Sequence, residues 1–93
     1  LSTAELLEFS ILCFRNKDFE KAIACFSVVL GRDPDLWIAH LYIGMSYHQI
    51  HHLQLAMEHF RFLTTNCTDP EIRQKAESAL NHLIIQQEKE RKF

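Results

Sequence analysis

The 93-residue chain is predicted to be all-α, with helices paired antiparallel and stacked, and one further helix closing the stack. Three observations predict this. Apolar residues recur at i, i+3, i+4 and i+7 rather than in alternation. Short polar breaks with capping residues or proline cut the chain into five segments. The chain also aligns with itself without a gap: laying Leu7 on Leu41 brings Phe9 onto Ile43, Phe19 onto Leu53, Ala22 onto Ala56, Phe26 onto Phe60 and Val29 onto Leu63.

Each helix has its own justification. Ser2 and Glu5 form a capping box that starts the first helix, with Leu1 and Leu6 as its hydrophobic staple, and the helix runs to about Arg15. Asn16-Lys17-Asp18 breaks it, and Asp18 is the expected N-cap of the second. Phe19, Ala22, Ile23, Phe26 and Leu30 make that second helix amphipathic, and Gly31 is expected to end it. Asp33-Pro34-Asp35 opens the third helix, with Pro34 expected in its first turn.

The third helix belongs to a segment, Leu36 to Met57, with no Asp, Glu, Lys or Arg, in a chain that is 24% charged. Trp37, Leu41, Gly44, Met45 and His48 share one side, and Ile38, Tyr42, Ile43 and Tyr47 widen the apolar surface. A helix apolar nearly all round is buried on more than one side. Ser46, Gln49 and four histidines make the segment too polar for a bilayer. Ile50-His51-His52 turns the chain, and Leu53, Ala56, Met57, Phe60 and Leu63 carry the fourth helix. Asp69 caps the fifth, with Pro70 in its first turn and a stripe of Ile72, Ala76, Ala79, Leu80, Leu83 and Ile84. Its far side, Arg73, Lys75, Glu77, Ser78, Asn81 and His82, is expected in water, and Gln86 to Lys92 is expected to be a fraying, mixed-charge helical tail.

A helix–turn–helix period of about 34 residues resembles the tetratricopeptide repeat. Residues 37–70 carry the resemblance most closely, with Gly44 and Tyr47 on the first helix and Ala56 and Phe60 on the second. Residues 3–36 match with Ala22, Phe26 and Pro34, but have Ser10 for the small Gly and Cys13 for the Tyr. The resemblance implies a single domain, 1–93, built as a right-handed stack of two repeats, 3–36 and 37–70, with a capping helix and charged tail at 71–93. Small residues at Ser10, Gly44, Ala22 and Ala56 allow close helix crossings, and Phe26 and Phe60 are expected to fill the space between units.

The composition narrows the function classes. A net charge of −2 and a pI near 6.3 do not suit nucleic acid or an anionic membrane surface. No signal-peptide pattern or long apolar run is present, and the initial Leu points to an excised piece or a mature form. Cys13, Cys25 and Cys67 are odd in number and lack CxxC spacing, which points to free thiols in the reducing cytoplasm. No phosphate loop, HExxH or nucleophile–His–acid order is present, so no enzyme, catalytic residue or cofactor is expected. His48, His51 and His52 have metal-ligand spacing, but a turn falls there and no Cys, Asp or Glu is near. They are read as half-exposed turn residues, with His40 and His59 as packing residues, and no metal is expected.

The family's first helices line a concave groove that binds partners. Carried over, that groove would comprise Leu7, Ile11 and Phe14 with Ala4 and Arg15, then Ile38, Leu41, Met45, His48 and Gln49. Co-chaperones of the family clamp an acidic C-terminal tail with Lys, Arg and Asn, but Leu7, Ile11 and Tyr42 stand at those places, so that ligand is rejected. The expected function is protein binding: a scaffold or chaperone-like module for an apolar or amphipathic protein segment, similar in kind to small tandem-repeat chaperones of bacterial secretion systems. The alternative is homo-oligomerisation through the groove or the open end of the stack. Arg15 is the one ionised residue assigned to the groove, so little salt dependence is expected.

Overall fold

The computed structural model describes residues 1–91, which form five helices: α1 (Thr3–Arg15), α2 (Phe19–Arg32), α3 (Trp37–Gln49), α4 (Leu53–Asn66) and α5 (Pro70–Arg91). No strand occurs among the described residues. Lys92 and Phe93, the end of the expected tail, lie outside them. The rest of that tail is helical as expected, α5 running through Arg91 with Gln86 and Gln87 half-buried.

The helix ends show which local signals prevailed. The Ser2–Glu5 capping box forms in both directions, each bond 3.1 Å. The hydrophobic staple does not, because Leu1 is 81% exposed. Instead the Leu1 carbonyl accepts a 2.7 Å bond from Arg32 Nη1 at the end of α2. Asp18 sits at the N-cap of α2, yet its carboxylate makes no capping bond. Gly31 does not end α2, which continues to Arg32. Pro34 lies outside α3: Asp33 Oδ1 accepts from the Asp35 amide at 3.3 Å, and the Leu36 amide donates to the Asp33 carbonyl at 3.2 Å. This local turn takes up Pro34 and delays the helix to Trp37. Asp69 does cap α5, accepting from the Glu71 and Ile72 amides at 3.0 and 3.3 Å.

The internal repeat extends to the backbone. After α1, Lys17 takes a φ of 64°, its amide donates to the Phe14 carbonyl, and the Asp18 amide donates to Cys13. After α3, His51 takes the same φ, its amide donates to His48, and the His52 amide donates to Tyr47. Both turns are Schellman closures with a left-handed residue just past the helix.

α2 packs against α1 and α3, and α4 against α3 and α5, while α2 and α4 do not touch. α1 meets α3, and α3 meets α5, more narrowly, so α1, α3 and α5 share one side and α2 and α4 the other. α3 alone touches every other helix. It divides two cores: Ala39 and Ile43 join Cys13, Ala22, Phe26 and Val29, whereas Leu41 joins Ala56, Met57, Phe60, Leu63, Ala76 and Leu83. That double burial is why the segment carries no formal charge. Phe26 and Phe60 are buried, and Phe26 stacks on Tyr42 with ring centroids 5.1 Å apart. Gly44 lets α4 approach: a Cβ there would lie 2.7 Å from Cε1 of the Phe60 ring.

Candidate protein-binding site

The side shared by α1, α3 and α5 is where the expected groove residues belong, and they are not equally available. Leu7, Ile11 and Phe14 of α1 are half-buried against the first core. Phe14 is held by edge-on contacts with Phe19 at 5.4 Å and Tyr42 at 5.1 Å. Ile38 and Met45 of α3 are half-buried against the second core. Leu41 is 4% exposed, so it is a core residue and offers no binding surface. The cause is α5, whose stripe packs into the same core and closes the middle of α3. His48 is half-buried, and Gln49, Ala4 and Arg15 are exposed.

What remains open between α3 and α5 is a cavity of about 380 Å³ lined by His48, His82, Ile85, Gln86 and Lys89. Ile85 is 53% exposed there. The His48 and His82 rings stand edge to face, 6.2 Å apart. Burial, then the neighbouring His82 and His51, holds the His48 imidazole below its ordinary value, so it is neutral at pH 7 and can both donate and accept. Lys89 supplies a charge, so Arg15 is not the one ionised residue on this side.

Of the cavity residues, only His48 is among the expected site residues, and His82 belongs to the side expected in water. The signal that finds the others lies in the phase of α5. Ala39, Ile43 and Ser46 of α3 are buried, and their counterparts at equal spacing on α5 are Ala76, Leu80 and Leu83, buried or half-buried. Moved by that interval rather than by the repeat period, Met45, His48 and Gln49 fall on His82, Ile85 and Gln86. The connection before α5, residues 67–69, is one residue shorter than the connection before α3, residues 33–36, so no inserted length accounts for the change of register.

A second histidine group lies between α3 and α4. His40 Nε2 is 3.3 Å from the Pro34 carbonyl, and its buried Nδ1 has no partner. The His40 ring lies 4.6 Å from Phe62 and 5.8 Å from His59, which stacks on Tyr47. Burial is the main cause that lowers both imidazoles from their ordinary value. Their arrangement is that of packing residues. Among the described residues no group of three or more His, Cys, Asp or Glu converges to hold a metal ion, and no helix is long and apolar enough to cross a membrane. Cys13 and Cys67 are buried, Cys25 is half-buried, and burial, with Cys25 adding to it, raises the Cys13 thiol.

No family model, curated protein or solved structure matches the chain.

Proposed function

We propose that the chain is a tetratricopeptide-type binding module, a right-handed array of two units and a capping helix, that takes an apolar or amphipathic protein segment along the α1–α3–α5 side. The α3–α5 cavity carries this reading. At about 380 Å³ it is the size of a small ligand pocket and admits one or two side chains of a docked segment. Ile85 offers aliphatic contact, while His48, His82 and Gln86 offer hydrogen-bonding groups that fix orientation. On this reading the chain acts by binding, without a cofactor. Lys89 is one cationic group at the rim, so binding weakens only modestly with salt.

The test uses amphipathic helical peptides selected from a display library and titrated into ¹⁵N-labelled protein. Perturbed resonances are expected at Met45, His48, Ile85 and Gln86. Ile85→Glu should weaken binding about tenfold, the equivalent of roughly 1.5 kcal/mol of lost aliphatic burial, with helicity unchanged by circular dichroism. Perturbations confined to α2 and α4 would overturn the assignment.

A further inference from the structure

The internal repeat identifies a second surface, unrelated to the α3–α5 cavity. On α3, Ala39, Ile43 and Ser46 are fully or almost fully buried, with Ala39 and Ile43 in the core that α2 lays against that helix. The positions that the repeat matches to them on α1 are Glu5, Phe9 and Leu12, and all three are exposed, Phe9 at 40% and Leu12 at 52%. The same helix face is therefore covered in one unit and bare in the other, and the bare one carries two large apolar side chains. By translation, what fits it is a helix.

We infer that this face of α1 binds the same face of a second copy of the chain, the two α1 helices crossing antiparallel about a two-fold axis. The chain's other helices are poorer partners in the second copy. α2 and α4 already commit Phe26, Val29, Phe60 and Leu63 to their own cores. The outer side of α5 presents Arg73, Glu77, Ser78 and Asn81 to water. The α1 face is self-complementary in charge as well. Glu8 and Arg15, both exposed, stand about two turns apart on one flank with Leu12 between them. Antiparallel crossing near Leu12 sets each Leu12 against its copy and each Glu8 opposite the other copy's Arg15. A two-fold contact of this kind closes on itself and stops at a dimer. Lys21 Nζ, 5.8 Å from the Phe9 ring centroid, covers part of that ring and leaves Leu12 as the central apolar residue. With one short helix on each side, the contact is at the weak end of specific interfaces.

Sedimentation equilibrium over a millimolar-to-micromolar dilution series tests the inference. The average mass of the parent chain should rise toward two chains with concentration. Leu12→Glu should hold it at one chain throughout, with helicity retained. Glu8→Lys and Arg15→Glu should each lose association alone, through like charges at both ends, and regain it when mixed in equal amounts. A parent chain monomeric at every concentration overturns the inference, as does association that survives Leu12→Glu or a mixture that fails to recover. If association is abolished by Ile85→Glu and not by Leu12→Glu, the cavity side is the self-contact and the α1 face is not. Peptide binding at the cavity is read separately, so either surface can fail alone.

Discussion

At the scale of single residues, the two glycines make opposite demands. Gly31 lies near the end of α2 at a negative φ, and a Cβ there would meet nothing within 4 Å. Gly31→Ala should stabilise the fold by about 0.5–1 kcal/mol, because the helix keeps its conformation and the unfolded chain loses freedom. A Cβ at Gly44 would press into the Phe60 ring, which is 1% exposed and has nowhere to turn. Gly44→Leu should cost about 3 kcal/mol or more by overpacking. Urea midpoints of the two variants should therefore move in opposite directions. Phe26→Ala and Phe60→Ala should each cost roughly 3–5 kcal/mol, since both side chains are buried in the two cores. For a domain of this size such a loss approaches the whole stability and should appear as a collapse of the thermal transition. The burial of these rings was legible from their spacing alone. The loss of Leu41 to the core was not, because only the later helix α5 covers it.

At the scale of the helix, caps and histidines set the testable behaviour. Asp69 Oδ1 satisfies two of the free amides of α5, so Asp69→Ala should lower stability by about 1 kcal/mol in equilibrium unfolding. Asp18→Ala should cost less, because no capping bond is lost. His40, His48 and His59 all titrate in the fold below their ordinary value of 6.5, chiefly through burial. Above 6.5 both folded and unfolded chains hold them neutral, and their contribution is complete. Below 6.5 the unfolded chain binds more protons, so stability falls as pH drops through 6.5 toward the lower folded values. Denaturation midpoints should decline on acidification, and His59→Phe, which cannot titrate, should make that decline shallower. Helix limits were readable from sequence wherever a side chain makes a local bond, as at Ser2 and Asp69. They were misread at Pro34, where an Asx-type turn at Asp33 and a helix start share one signature.

At the scale of the molecule, the chain measures 47 × 28 × 18 Å, and α5 closes the second core. Removing residues 70–93 would expose Leu41, Met57, Phe60 and Leu63 together. A chain ending at Asp69 should therefore lose cooperative melting and bind a hydrophobic dye, whereas Ile85→Glu, on the open side of α5, should melt normally. The all-helical architecture was legible because period, breaks and repeat all agree. The candidate site was legible on α3, at His48, and not on α5. The buried positions of α5 do not follow those of α3 at the displacement that lays Leu7 on Leu41, so the repeat carries no information about which face of α5 stays open.

The neighbour-only packing around α3 has a kinetic consequence. No helix touches another more than two positions away along the chain, so the order of assembly is constrained by proximity in sequence. Loops to be closed are short, the entropy lost before contacts form is small, and rapid folding follows. Tension applied at the ends would be borne in series, one helix boundary after another. The two end helices, α1 held by α2 and α3 alone and α5 held by α3 and α4 alone, would detach before the middle of the stack.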